Sequence, residues 1–342
     1  MYLDPNDISE VNGNFFGFPH SIEEAKLVYI SVPWDVTTSY NEGTARGAQA
    51  ILEASYQLEW HDFDFPDIWQ VPRGTVSQSD EIEQSNQELR SLAKKVIQHL
   101  EGGGEVEDEA IAQELHRVNQ ASIELNNWVY QQTQQLIAQN KFIGLVGGDH
   151  SVPLGYMKAL AEEYQSYGIL QIDAHADLRN GYEGFIYSHA SIMYHALQIP
   201  AITHLIPVGI RDVCQAEIDL IQTENRVVAF DDWQLKDNAF SGMTWAQQCQ
   251  EIVKQLPDRV YVSFDIDGLS PAFCPNTGTP VPGGLQFNEA IYLLREVVKA
   301  GKTIIGFDLC EVAPGNDEWD GNVGARLLYK LSNLMLASQT RK

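Results

Sequence analysis

Short apolar runs alternate along this chain with stretches of helical spacing, and this alternation limits the possible folds more than any other feature. The runs are rich in β-branched and aromatic residues and predict strands at 26–33, 141–147, 167–173, 203–210, 226–230, 259–265 and 302–309. Between them, segments such as 152–164 and 287–300 carry apolar residues at the spacing of an amphipathic helix. Apolar strands that alternate with helices are typical of a parallel sheet covered by helices on both faces.

Residues 78–140 depart from this alternation. They contain two long helical patterns separated by three successive glycines, 102–104, which end a helix. This spacing predicts a helical hairpin that leads back into the sheet. The second helix carries apolar residues that suit docking on the sheet or on another subunit: Val118, Ile123, Leu125, Trp128 and Val129. Because no internal repeat or change in composition divides the 342 residues, we predict a single domain over 1–342.

The chain is strongly acidic. Its 47 acidic and 22 basic residues give a net charge of −25 at pH 7. Nucleic acids and anionic membranes repel such a chain, so both are excluded as partners. Two interpretations of the charge remain: a surface that maintains solubility, or a field that attracts a small cationic molecule.

The sequence predicts a cytoplasmic protein. No apolar run approaches the ~18 residues that span a bilayer, and the first residues lack the basic start and apolar middle of a signal peptide. The four cysteines, Cys214, Cys249, Cys274 and Cys310, show no C-x-x-C spacing, as expected of reduced thiols.

Acidic residues and histidines follow four of the predicted strands. His150 follows the strand 141–147, D-A-H-A-D (173–177) ends the strand 167–173, D-I-D (265–267) ends the strand 259–265, and Glu311 follows the strand 302–309. Ligands of open parallel sheets bind beyond the carboxyl ends of the strands. Because alternate residues of an extended segment face the same way, the side chains within D-A-H-A-D and within D-I-D are predicted to point together.

Together these side chains predict a metal site. Carboxylates and imidazoles crowded into one pocket repel each other or must be neutralised, unless cations lie among them. Their mixed oxygen and nitrogen atoms suit Mn²⁺ and admit Fe, Co, Ni or Zn. Six ligands exceed what one open catalytic ion needs, so two ions fit better. The predicted ligands are His150, Asp173, His175, Asp177, Asp265 and Asp267. Each motif alone is also compatible with a turn or a helix start.

Several of these segments resemble the arginase/agmatinase (ureohydrolase) family. They are G-G-D-H-S (147–151), D-A-H-A-D (173–177), S-F-D-I-D (263–267), T-G-T-P-V-P-G-G (277–284) and the N-terminal segment 32–51. The resemblance covers about residues 28–336. It implies a three-layer α/β/α fold with a mostly parallel, about eight-stranded sheet, and a hairpin at 78–140 longer than in many members. It also implies two Mn²⁺ ions per subunit, with Ni²⁺ or another divalent transition metal as the alternative, and a homotrimer or homohexamer.

The resemblance also implies roles for the six ligands. Asp173 and Asp265 would bridge the two ions, His150 and Asp177 would complete one, and His175 and Asp267 the other. Two cations lower the pKa of a shared water molecule toward neutrality. That nucleophile attacks a guanidinium carbon, and the products are urea and an amine.

Asp177, His189 and Glu311 are the implied catalytic residues. Glu311 would pair with the guanidinium, and His189, an imidazole that titrates near neutrality, would carry a proton to the leaving amine. The alternatives are a strand-end acid that caps a helix for Glu311, and a helix-start histidine packed on its neighbours for His189. The chain departs from the family at Ser270, where an aspartate is common and where we expect altered support of the metal carboxylates, and at Ala190, where glycine is common.

The substrate depends on the loops. Arginases place an asparagine where this chain has Arg179, and the loop 180–188 does not resemble theirs. We therefore predict hydrolysis of agmatine to putrescine and urea. Arg179 facing the pocket would instead favour a guanidino acid such as guanidinobutyrate, whereas a solvent-facing Arg179 would pair with Glu183. An entrance filled by bulky residues would favour free guanidine: Trp34, Tyr182, Phe185 and Tyr187. Arginase activity, formimidoylglutamase activity and an inactive metal-binding homologue are the further alternatives.

Overall fold

A single sheet forms the centre of the molecule. The computed structural model describes residues 4–6 and 8–339. All neighbouring strands in the sheet pair in parallel, in the order β2-β1-β3-β7-β6-β4-β5. The strands are β1 (Leu27–Ser31), β2 (Arg73–Val76), β3 (Phe142–Val146), β4 (Tyr167–Ile172), β5 (Ile202–Val208), β6 (Arg259–Asp265) and β7 (Thr303–Cys310).

Helices cover both faces of this sheet. They are α1 (Gly47–Ser55), α2 (Asp80–Glu101), α3 (Glu109–Ala138), α4 (Leu154–Glu163), α5 (Ile192–Ala196), α6 (Gln215–Thr223), α7 (Asp232–Phe240), α8 (Trp245–Lys254), α9 (Phe287–Lys299) and α10 (Trp319–Gln339). Alternate residues of β4 enter separate hydrophobic cores, Leu170 on one face and Ile169 on the other. The first core includes residues of α8, α9 and α10, and the second includes residues of α2, α3 and α4. The predicted three-layer α/β/α fold is confirmed.

The sheet differs from the prediction at its two edges. The described residues contain seven strands rather than about eight. The segment 226–230, predicted as a strand, makes only two isolated bridges to β5, at Val227 and Phe230. β2 was not predicted, because its sequence R-G-T-V contains no apolar run. The other six predicted strands are present, and every end lies within two residues of its expected limit.

The helical hairpin is present as predicted. α2 begins after Ser79, whose Oγ accepts the backbone N–H of Ile82, and the glycines 102–104 separate it from α3. α3 packs on α2 and α4. Of its five apolar residues, Val118, Leu125 and Val129 are buried and Trp128 packs against the second core. Ile123 is 38% exposed and does not pack on the sheet with the others, so docking on another subunit stays a prediction for this residue.

The strand order determines where ligands can bind. β3, β7, β6 and β4 lie side by side, and they are the strands predicted to carry acidic residues and histidines at their carboxyl ends. All four ends therefore meet at one edge of the sheet. Of the helices described, none combines the length and the apolar character needed to cross a bilayer.

Candidate active site

The six predicted ligands converge at this edge of the sheet. The Nδ1 atom of His150 lies 3.0 Å from Oδ2 of Asp173, 2.9 Å from Oδ2 of Asp177 and 3.5 Å from Oδ2 of Asp265. The Nδ1 atom of His175 lies 3.0 Å from Oδ2 of Asp267 and 3.7 Å from Oδ1 of Asp173. Residues that are up to 117 positions apart in the sequence therefore share one pocket.

The ligand atoms form two groups that overlap at Asp173. One group contains His150, Asp173 and Asp265, and the other contains Asp173, His175 and Asp267. Asp173 directs one carboxylate oxygen toward each histidine. Asp173 therefore belongs to both groups, and its role as a ligand shared by two ions stays a prediction.

Turns, and not extended strands, bring these side chains together. β4 ends at Ile172, and Asp177 has a left-handed backbone with φ 55°. Asp265 is the last residue of β6, whereas Asp267 lies in a short 3₁₀ helix. This 3₁₀ turn approaches β4 so closely that a Cβ on Gly268 would lie 2.5 Å from the backbone nitrogen of Asp173. The predicted convergence is correct, but the predicted cause, alternation along a strand, is wrong.

The pocket is buried and holds more carboxylate than it can ionise without a cation. Burial, and then the charge of Asp173, raises the pKa of Asp177 to about 7. Burial and the charge of Asp267 raise the pKa of Asp265 well above its usual value. Nδ1 of His150 is buried and makes no hydrogen bond of normal geometry, although carboxylate oxygens surround it. Such a nitrogen among oxygens is suited to a divalent transition metal ion.

A second layer of polar side chains, not predicted from the sequence, supports these ligands. Ser263 Oγ lies 2.9 Å from Nε2 of His150 and donates a hydrogen bond to Asp308 (2.8 Å). Nε2 of Gln171 donates to Oδ2 of Asp173 (2.9 Å). The available signal was a polar residue within each otherwise apolar strand, because such residues are buried only with partners.

Glu311, the first residue after β7, is buried with a left-handed backbone of φ 64°. Its Oε1 accepts the backbone N–H of His150 (2.9 Å), while Oε2 lacks a hydrogen bond among the described residues. Burial and the charge of Asp149 raise the pKa of Glu311 well above its usual value. His150 lies in the turn before α4, so Glu311 does not cap a helix. A buried carboxylate oxygen without a partner suits a cationic ligand, and pairing with a guanidinium stays a prediction.

His189 begins a short 3₁₀ helix (His189–Ser191) and packs edge-on against Tyr182, with 6.0 Å between ring centroids. Its backbone N–H donates to Oγ1 of Thr37 (3.4 Å), and its Nδ1 has no partner within the described part of the chain. Burial, and then the positive charge of His175, lowers the pKa of His189 to about 3. The imidazole is therefore neutral at pH 7, and the prediction that it titrates near neutrality is wrong for this environment.

A cleft of 320 Å³ opens above His175 and Asp177, and both His189 and Arg179 line it. The Arg179 guanidinium stacks on the ring of Tyr182, 4.8 Å from its centroid, and its Nε lies 3.9 Å from Oε2 of Glu217. The predicted alternative partner, Glu183, is therefore wrong, because the Arg179 side chain turns toward the cleft wall.

The two departures from the family pattern occupy different surroundings. Ser270 donates its backbone N–H to the carbonyl of Leu285 (2.8 Å), and no hydrogen bond joins its hydroxyl to the described site residues. The expected change in support of the metal carboxylates is therefore not mediated by a direct hydrogen bond from the Ser270 hydroxyl. Ala190 lines the cleft, and its carbonyl accepts the backbone N–H of Arg179 (3.2 Å).

Comparison with known families identifies the family of the chain. The Arginase family model matches residues 25–333. The chain belongs to the arginase family. An N(1)-aminopropylagmatine ureohydrolase from Synechocystis is 30% identical to it over 324 residues, which cover 94% of this chain and 93% of that protein. An agmatinase from Proteus mirabilis is 32% identical over 317 residues, which cover 90% and 88%.

Solved structures of the arginase family share the fold. The agmatine ureohydrolase of Thermoplasma volcanium superposes with a TM-score of 0.72 at 22% identity and covers 96% of both chains. Proclavaminate amidino hydrolase from Streptomyces clavuligerus gives a TM-score of 0.73 at 22% identity, covering 97% of this chain and 100% of the other. The chain is thus an arginase-family ureohydrolase, and the resemblance and enzyme class predicted from the motifs are confirmed.

Proposed function

We propose that this ureohydrolase converts agmatine to putrescine and urea. The observation that carries the proposal is the charge of the cleft, whose lining includes three carboxylates, Asp177, Asp212 and Glu217, and one guanidinium, Arg179. Glu217 and the ring of Tyr182 already contact that guanidinium. Its attraction for a substrate carboxylate is therefore offset, and a substrate with an ammonium tail is favoured over a guanidino acid.

The relatives support a substrate with an amine tail and provide a second candidate. The Proteus mirabilis relative is named as an agmatinase, and the Synechocystis relative is named for N(1)-aminopropylagmatine. Both compounds combine a guanidinium with an amine on a linear chain. The longer one places further positive charge outside the reacting group, where Asp212 is exposed at the cleft.

We propose that two Mn²⁺ ions bind the pocket, held by the two overlapping groups of ligand atoms with Asp177 beside His150. When bound, such ions supply a nucleophile by lowering the pKa of water, and they offset the buried negative charge. Mn²⁺ suits a ligand set rich in carboxylate oxygen, and Ni²⁺ is the alternative because imidazoles favour it.

The chain's own residues orient the substrate and move the proton. Hydrolysis forms a bond between the guanidinium carbon and a water oxygen, breaks the bond from that carbon to the alkylated nitrogen, and transfers a proton to the departing amine. Glu311 would hold the guanidinium with its free Oε2. His189 lines the cleft, and its Nδ1 has no partner among the described residues, so it is placed to pass a proton to the departing amine. Its lowered pKa makes the imidazole a weak base, so a proton would move on to the amine and not stay on the ring.

Urea release tests the substrate. Purified protein loaded with Mn²⁺ or Ni²⁺ is assayed with agmatine, N(1)-aminopropylagmatine, arginine, guanidinobutyrate and guanidine. We expect the highest kcat/KM for an amine-tailed guanidine. A higher kcat/KM for guanidinobutyrate or free guanidine would refute the assignment. The variant Asp212→Asn should raise the KM for agmatine. Free guanidine, which has no amine tail, is the control substrate, and its KM should stay unchanged.

Metal content tests the dinuclear centre. We expect about two transition metal ions per chain in protein purified without chelator. A folded sample that retains none after incubation with Mn²⁺ would contradict the proposed site.

A further inference from the structure

The helical hairpin contacts both walls of the cleft. One wall is the loop after β1, residues 32–46, from which Ser39 lines the cleft. The other wall is the turn 182–187, from which Tyr182 lines it. α2 binds the first segment and α3 binds the second, through side chains that the chemistry described above does not use.

Asn86 and Arg90 of α2 hold the first wall. Oδ1 of Asn86 accepts the backbone N–H of Asp35 (2.7 Å), and its Nδ2 donates to Oδ1 of Asp35 (3.0 Å). Nη1 of Arg90 donates to the carbonyls of Val36 (2.9 Å) and Thr38 (2.6 Å). The Arg90 side chain is only 11% exposed, and a charged donor makes a strong hydrogen bond at such a largely buried position.

Thr37, between Val36 and Thr38, connects this loop to residues of the active site by hydrogen bonds. Thr37 is fully buried, and its Oγ1 accepts the backbone N–H of His189 and donates to Oδ2 of Asp149, each at 3.4 Å. Asp149 immediately precedes His150. A shift of Thr37 would therefore displace the backbone of His189. Arg90 fixes the backbone on both sides of Thr37.

Asn119 of α3 holds the second wall. Its Nδ2 donates to the carbonyl of Gly184 (3.1 Å), and its Oδ1 accepts the backbone N–H of Ile186 (2.8 Å). These bonds close the turn in which Tyr182 and Phe185 pair through two backbone hydrogen bonds of 2.9 Å. Tyr182 carries the Arg179 guanidinium on its ring.

We propose that the hairpin is a positioning element of the active site, in which Arg90 fixes the loop that supports His189 and Asn119 fixes the turn that carries Tyr182. The two arms have different consequences. Displacing His189 affects the proton step and lowers kcat, whereas displacing Tyr182 alters the mouth of the cleft and raises KM. This split rests on the proposed function for its activity readout.

The test compares two variants with a matched control. Arg90→Met removes both carbonyl bonds, and Asn119→Ala removes both bonds to the turn. The control is Lys95→Met, because Lys95 joins α2 to Glu114 of α3 at the exposed surface (2.8 Å) without touching either wall. Steady-state urea release, metal content and backbone hydrogen exchange are measured for each.

We expect Arg90→Met to lower kcat about 10–100-fold with KM within about 3-fold, and Asn119→Ala to raise KM several-fold with kcat nearly unchanged. Arg90→Lys should restore part of kcat, because lysine keeps the charge but not the planar fork. Metal content should stay constant throughout. Lys95→Met should match the wild type in all measurements.

Hydrogen exchange tests the inference independently of catalysis. Exchange should accelerate in the loop 32–46 for Arg90→Met only, and in the turn 182–187 for Asn119→Ala only. Uniform acceleration over the whole hairpin, or equal loss of kcat in all three variants, would overturn the proposal in favour of a general role in stability. If the wild type hydrolyses no guanidino compound, the proposed function fails. The exchange pattern alone then decides whether the hairpin positions the two walls.

Discussion

The two ring nitrogens of His150 face different partners. The residue can therefore show whether the polar side chains behind the ligands affect metal binding. Nδ1 faces the carboxylates of Asp173 and Asp177, while Nε2 lies 2.9 Å from Oγ of Ser263, which in turn donates to Asp308. A hydrogen bond at the remote nitrogen of a ligating histidine fixes the orientation of its ring. Metal affinity should therefore depend on a hydroxyl that does not touch the metal.

Replacing Ser263 by alanine should weaken metal binding about 10–100-fold, because the remote partner of His150 is lost. Competition with a chromophoric chelator measures the affinity. Ser332→Ala is the matched control, since it removes a buried hydroxyl of α10 that accepts a hydrogen bond from Tyr29 (2.9 Å) and contacts none of the six ligands. Equal metal affinity in both variants would show that Ser263 does not support the ligand.

Replacing Glu311 by glutamine should lower kcat/KM for agmatine roughly 10²–10³-fold, because a buried cation loses the negative partner of its charge pair. The free Oε2 and the burial of Glu311 are the basis for this expectation. Steady-state urea release measures the loss, and metal content serves as the control. A variant with unchanged kcat/KM and full metal content would remove Glu311 from substrate binding.

At the scale of elements, apolar runs identified strands well where burial and pairing coincide. They failed at 226–230, where Val227 and Phe230 contribute to the cores from an irregular segment that makes only isolated bridges. They also missed β2, whose buried Arg73 donates a hydrogen bond to Asn333 (2.6 Å) and lies over the rings of Phe18 and Tyr329. Burial of a charge by tertiary partners leaves no pattern in the local sequence.

The same distinction explains the site. The six ligands were predictable because each lies at or shortly after the carboxyl end of a strand, and parallel strands end at one edge. Arg90, Asn119 and Asp308 were not, because their contacts join residues far apart in the sequence and depend on how the hairpin and the sheet pack. The neutral His189 was missed for a related reason: its lowered pKa comes from burial, which the motif does not encode.

The turn after β3 meets the loop after β1 with no room for a side chain. A Cβ on Gly148 would lie 1.8 Å from the carbonyl oxygen of Trp34. Gly148→Ala should therefore displace His150, destabilise the fold by about 1–3 kcal/mol and reduce metal content. Thermal unfolding and metal analysis check both effects. Gly102→Ala, at a helix end with φ −74° and no atom nearer than 3.2 Å, should be nearly neutral. A similar loss in both variants would contradict the steric argument.

At the scale of the whole molecule, the active site lies at the edge of the sheet, next to both hydrophobic cores. The cores pack on opposite faces of the sheet, whereas the ligands follow the strand ends. Changes of ligand residues therefore act on buried charge more than on apolar packing. The free energy of unfolding should then depend on whether protons or metal ions neutralise that charge.

In metal-free protein, protons must neutralise the pocket. Burial alone would lower the pKa of His175, but the charges of Asp267 and Asp173 outweigh it and raise the pKa well above its usual value. Burial and Asp173 raise the pKa of Asp177 to about 7. Groups whose pKa is higher in the folded state take up protons on folding, so the stability of metal-free protein rises as pH falls from 8.5 toward 6.5, on the order of one proton or more per chain. Below about pH 6.5 the low pKa of His189 opposes this gain, because the unfolded imidazole binds the proton.

Metal ions reverse this dependence, because they bind the deprotonated ligands and compete with protons. The difference in Tm between Mn²⁺-loaded and chelator-treated protein should therefore widen by a few degrees from pH 6.5 to 8.5. Thermal unfolding at fixed ionic strength measures it, with Asp177→Asn, whose metal content is determined in parallel, as the comparison. That variant lacks a group whose pKa lies in this window, so its difference should change less with pH. A difference that stays constant or narrows with rising pH would show that metal ions do not replace protons on these side chains.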